Sequence, residues 1–106
     1  VRWFALQHPR ILIFSIPNGA VLAGDEKIRA ILMAKLKAEG LVPGVPDLFI
    51  PAWKLFIEMK RVRGGRLSDE QREIHEELRA CGYTVLVATG SMDAIAQLRL
   101  YLRGAS

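Results

Sequence analysis

The chain of 106 residues holds a single cysteine, Cys81. One thiol excludes a disulfide framework and any zinc centre built on cysteines, and it suits a reducing compartment. No apolar run approaches the ~18 residues of a membrane helix, and the first residues lack the pattern of a secretory leader. The expectation is a soluble, cytoplasmic protein with no membrane partner. Repeats, low-complexity tracts and linkers are missing too, so residues 1–106 are expected to form one domain around one core.

What is present is apolar and mildly basic. Hydrophobic residues make up 51% of the chain and the mean hydropathy is +0.19, high for a chain this small. Some of that apolar surface is expected to be buried against a second copy. Fifteen Lys and Arg against 11 Asp and Glu give a net charge of +4 and a pI near 9.6. This balance favours a polyanionic partner without specifying one.

The apolar periodicities give an order of elements. Residues 2–8 read as the end of a helix closed by His8-Pro9, and Ile11–Phe14 as a short buried strand. Asp25 can cap a helix running to about Glu39, with Ile28, Ile31, Leu32 and Leu36 forming one apolar stripe and Gly40 ending it. Lys27, Lys35 and Lys37 lie off that stripe, as solvated charges or as phosphate contacts. Ser68 opens a third helix through a capping box with Gln71, and Gly82 ends it. Tyr83–Ala88 is a dense strand, and Ser91 caps a last helix carrying Ile95, Leu98 and Leu102. Helix, strand, helix, hairpin, helix, strand, helix is the pattern of an α/β sandwich around a small mixed sheet.

The hairpin is the informative stretch. Gly44–Ile50 and Lys54–Lys60 are apolar runs joined by a short break, yet they carry ionisable groups that a plain buried hairpin would not. Alternation puts Phe56, Glu58 and Lys60 on one face and Leu55, Ile57 and Met59 on the other. If the hairpin closes around Ala52 and Trp53, Asp47 falls opposite Glu58, with Lys60 beside the pair. Ala-Trp is not a favoured two-residue turn, so this register follows from the charges it gathers. Two facing carboxylates repel, and partial burial raises the cost unless a cation sits between them. A hard ion such as Mg²⁺ or Mn²⁺ answers both problems, since it prefers oxygen ligands and keeps several waters. With a lysine at hand, this is the minimum equipment for phosphodiester hydrolysis.

Pro46-Asp47 with Glu58-Met59-Lys60 resembles the signature of the PD-(D/E)xK nucleases. Ile16-Pro17-Asn18-Gly19, Leu36-Lys37-Ala38-Glu39-Gly40, Pro43-Gly44-Val45-Pro46-Asp47-Leu48-Phe49 and Gly65-Arg66-Leu67-Ser68-Asp69-Glu70-Gln71 resemble its VRR-Nuc branch, the virus-type replication and repair nucleases. The resemblance implies a restriction-endonuclease-like fold and a metal-dependent DNA endonuclease, a homodimer selective for branched DNA like the Holliday junction resolvases, in phage or mobile-element replication and repair. It implies Mg²⁺ or Mn²⁺ held by Asp47, Glu58 and the Met59 carbonyl, with Lys60 as the catalytic cation. It also puts Asn18 near the rim of the site. Many relatives in the wider superfamily carry a further glutamate on the first helix, which residues 1–10 do not supply. Two other readings stay open, a general DNA nuclease and a nucleic-acid-binding module that has kept the fold without the reaction.

Other residues are weighed on local grounds. Arg61, Arg63 and Arg66, spaced by Gly64 and Gly65 directly behind Lys60, suit a loop that wraps a DNA backbone, or an ordinary polar loop. Gln71 is accounted for by the capping box, yet it also falls in line with Leu67, Ile74, Leu78 and Cys81. A glutamine facing the sheet needs a polar partner, and the carboxylates are nearest, so it is expected to position the site. His8 and His75 are read as surface or boundary residues, and Cys81 as a small hydrophobe closing the stripe.

Overall fold

The computed structural model describes residues 1–17 and 25–105. Asn18 lies outside the described residues. The elements in order are α1 (Arg2–Gln7), β1 (Phe14–Ser15), α2 (Glu26–Ala38), β2 (Leu48–Ile50), β3 (Leu55–Lys60), α3 (Asp69–Ala80), β4 (Thr84–Thr89) and α4 (Ser91–Ala105). The strands form one mixed sheet in the order β1-β2-β3-β4, antiparallel from β1 to β3 and parallel between β3 and β4. Helices flank it, which makes the α/β sandwich expected from the pattern. Among the described residues, no helix is long and apolar enough to cross a membrane.

The hairpin closes with more chain than a two-residue turn. Ile50 pairs with Leu55, and the connection between them is a 3₁₀ turn over Pro51–Trp53 followed by Lys54 in the left-handed region at φ 49°. The Lys54 N–H donates to the Pro51 carbonyl at 3.1 Å. Proline presets the first φ of such a turn, and the left-handed residue reverses the chain.

β3 is the central strand, and its two faces differ in chemistry. Leu55 and Ile57 join Ile50, Phe4 and Leu98 in the buried core, with Leu48, Met59 and Tyr101 packed around it. The Tyr101 hydroxyl donates to the Trp53 carbonyl at 3.0 Å and ties α4 to the hairpin turn. On the other face Phe56 stacks on Phe49 at 4.3 Å, and Tyr83 meets both rings edge-on. Beyond that aromatic cluster, along the same face, come Glu58 and Lys60. The crossover helix α3 lies over this end, fixed at its C-terminus by Arg79 Nη2 donating to the Val85 carbonyl at 3.0 Å.

The structure departs from what the sequence pattern suggests at four places. First, the stripe of α2 does not face a core: no residue of α2 is buried, and Ile28, Ile31 and Leu32 are 48%, 61% and 37% exposed. Periodicity shows only that a helix has an apolar side, and here Leu36 is half-buried while the rest of the stripe is exposed. Second, α3 stops at Ala80, so Cys81 is its C-terminal cap and is exposed instead of closing the stripe. Third, His75 is neither surface nor boundary, for it is 1% exposed beneath α3. The first strand is also shorter than the apolar run Ile11–Phe14 suggests, because only Phe14 and Ser15 pair with β2.

Candidate active site

The hairpin register decides which groups meet. The pairs Ile50 with Leu55, Phe49 with Phe56 and Leu48 with Ile57, continued by one step, set Asp47 against Glu58. This is the arrangement that the charges implied. Asp47 is tied to β3 as well, its Oδ2 accepting the Met59 N–H at 2.8 Å. That bond fixes the Met59 peptide against the aspartate, although the Met59 side chain points to the opposite face.

Glu58 is 1% exposed. Burial, then a hydrogen bond to Asp47 and the charge of Asp47, push its carboxyl up to about 8, against the pull of Lys60. At neutral pH and without a cation, Glu58 therefore keeps its proton. An acid held neutral by its burial and by a neighbouring carboxylate is the electrostatic conflict anticipated from sequence.

Gln71 links Lys60, Ser68 and Glu58. Its Oε1 accepts from Lys60 Nζ at 2.8 Å and from the Ser68 N–H at 2.9 Å, while its Nε2 donates to Glu58 Oε1 at 3.3 Å. The Gln71 N–H in turn donates to Ser68 Oγ at 3.1 Å, completing the capping box. The two readings of this residue are thus compatible, because the cap holds the side chain where it reaches Lys60 and Glu58.

His75, one turn along α3, brings Nε2 to 3.4 Å from the same Oε1 of Glu58. Burial lowers its pKa, the charges of Arg79 and Lys60 lower it further, and Asp47 opposes them weakly. The imidazole is neutral. Spacing could have found it, because four residues beyond Gln71 lies the same helix face.

Two glycines let the backbone close around this end. Gly44 has φ +92°, and a Cβ there would stand 2.7 Å from the Glu70 carbonyl oxygen at the start of α3. A Cβ on Gly65 would meet the Arg61 backbone oxygen at 2.6 Å, so the loop behind Lys60 folds on itself. Arg61, Arg63 and Arg66 are all exposed on that loop, between β3 and α3. Lys27, Lys35 and Lys37 lie exposed on α2, and Lys35 pairs loosely with Glu39 at 4.0 Å.

Among the described residues, no group of three or more His, Cys, Asp or Glu side chains is arranged to hold a metal ion. What the site offers is a pair of carboxylates, one of them buried and holding a proton that a cation would displace. This donor set of hard oxygens fits a divalent ion that takes water or a substrate oxygen for its remaining positions.

The VRR-NUC domain family model matches residues 12–92, which include every side chain of the carboxylate cluster. A solved structure described as a VRR_NUC domain protein is similar at 28% identity and a TM-score of 0.66, over 86% of this chain and 67% of that one. No curated protein matches the chain.

Proposed function

The chain belongs to the VRR-NUC domain family, and on that premise we propose that it is a metal-dependent DNA endonuclease acting selectively on branched DNA, like the Holliday junction resolvases. Family and fold support a nuclease in general terms. The observation that carries the finer reading is Glu58, buried opposite Asp47 and held in one hydrogen-bonded cluster with Lys60 and Gln71.

Asp47, Glu58 and the Met59 carbonyl would hold Mg²⁺ or Mn²⁺. When bound, such an ion stabilises charge on the phosphoryl oxygens and acidifies water in its shell. The residues of the chain do the rest. Glu58 would hold the ion as a carboxylate, its proton passing to solvent, so that the buried charge would be compensated. Lys60, steered by the Gln71 carbonyl oxygen, presents its ammonium to the phosphate and to the attacking water. One such contact contributes ~3 kcal/mol, roughly a hundredfold in rate. Arg61, Arg63 and Arg66 take backbone phosphates beside the scissile bond and orient the strand without reading sequence.

The exposed stripe Ile28, Ile31 and Leu32 on α2 supports assembly with a second copy. Two sites related by a twofold axis would allow paired cuts on a four-way junction. The test is cleavage of a labelled four-way junction beside matched duplex, flap and single strands, with Mg²⁺, Mn²⁺ or EDTA. Symmetric, metal-dependent cuts at the branch are expected. Equal cutting of all substrates would leave a general nuclease, and binding without cutting in any metal would overturn the enzymatic reading.

A further inference from the structure

His75 is the buried polar side chain that this chemistry leaves unused. Its ring is 1% exposed, and neither Nδ1 nor Nε2 has a hydrogen-bond partner. An unpaired buried polar group is destabilising, and a leucine or methionine would fill much the same volume without that cost. Packing alone therefore gives no reason for an imidazole here. The polar atom in front of the ring is Glu58 Oε1, 3.4 Å from Nε2, and Gln71 Nε2 approaches the same oxygen at 3.3 Å. Two nitrogens at i and i+4 of α3 converge on one oxygen of one carboxylate.

We infer that His75 is a positioning residue for Glu58: its imidazole, with a proton on Nε2, donates to Oε1 and, with Gln71, fixes which carboxylate oxygen is left for a divalent cation. The inference rests on Glu58 being a cation ligand, as read above. The gap is about half an ångström longer than a good hydrogen bond, and a small rotation of either side chain closes it. Once Glu58 is ionised the bond is charge-assisted and stronger. Gln71 does not do this alone, because its Oε1 is committed to Lys60 and Ser68 and only its amide N–H groups remain for Glu58. Donors of this kind orient a ligand and set its basicity, and losing one typically weakens metal binding 10–100-fold.

The experiment compares wild type, His75→Leu and His75→Gln. It reads Mn²⁺ affinity by electron paramagnetic resonance of the free ion, the metal-free Tm in EDTA, and kcat and KM on a DNA substrate. His75→Leu is expected to keep or raise the metal-free Tm, since two unpaired nitrogens are gone. Yet it should bind Mn²⁺ at least ~10-fold more weakly and lose kcat with little change in KM. His75→Gln, whose amide nitrogen can stand near the place of Nε2, should recover most of that affinity. A folded leucine variant with wild-type Mn²⁺ affinity would overturn the inference, as would equal losses in both variants. If the leucine variant does not fold, the glutamine variant decides: near wild-type affinity supports the role, and a tenfold loss refutes it. A wild type that binds no Mn²⁺ would overturn the reading of the site and this inference together, whereas the other failures overturn the inference alone.

Discussion

Replacing Glu58 by glutamine should stabilise the metal-free protein at pH 8 while abolishing cleavage. The side chain is 1% exposed, and its carboxyl is raised from 4.5 to about 8. Between those two values the folded chain holds a proton that the unfolded chain has released. Stability contributed by this group is therefore fully present below pH 4.5, declines by up to ~1.4 kcal/mol per pH unit, and levels off above pH 8. The ceiling on the loss is ~5 kcal/mol, and relaxation around the charge reduces what is measured to ~2–3 kcal/mol. Glutamine has the same length, can still accept from Gln71 Nε2, can donate to Asp47, and does not titrate. The variant and wild type should thus be equally stable near pH 4.5 and diverge as pH rises. At pH 8 the variant's Tm should be higher by ~10 °C or more for a domain of this size. Urea denaturation in EDTA at pH 5, 6.5 and 8 measures the divergence directly, because other titrating groups cancel in the difference. A constant difference across that range, or a less stable variant at pH 8, would refute the claim that Glu58 is a buried acid held neutral by its surroundings.

Further outcomes follow from the same geometry. Gly44→Ala should cost more than ~2 kcal/mol, because it strains φ +92° and drives a Cβ to 2.7 Å from the Glu70 oxygen, whereas Gly40→Ala, with nothing within 4 Å, should cost about 1 kcal/mol by thermal melting. Arg61→Ala, Arg63→Ala and Arg66→Ala should each leave the Tm unchanged, weaken DNA binding alike across sequences, and lower the slope of log K against log salt by about one. Ile31→Lys, at a position 61% exposed on α2, should leave the monomer fold intact and shift the sedimentation profile from dimer to monomer; an unchanged dimer would remove α2 from the interface.

The sequence carried the site further than it carried the packing. Asp47 opposite Glu58 is legible because a hairpin centred on Ala52 and Trp53 sets the two carboxylates against each other, and a slip of one residue would turn them to opposite faces. The turn that enforces this register is not, since a left-handed Lys54 has no signature in residue type. Gln71 was visible both as a cap and as a sheet-facing side chain, and its amide is long enough to serve in both. The burial of His75 is not legible from the residue taken by itself. Its spacing from Gln71 put it on the same face, beneath which Glu58 is buried. The exposure of the α2 stripe and the position of Cys81 are hidden in the sequence for a different reason. Helical periodicity fixes the direction of side chains relative to one another but not what lies opposite, nor the residue at which the helix stops.

The most direct test of the nuclease account is the single-turnover rate of DNA cleavage in Mn²⁺ by wild type and by Lys60→Ala, beside the Mn²⁺ affinity and Tm of both. The account predicts a loss of roughly a hundredfold in rate, with the metal still bound and the fold intact. Equal rates in the two proteins would contradict it, because the ammonium that Gln71 holds beside Glu58 would then have no part in cutting DNA.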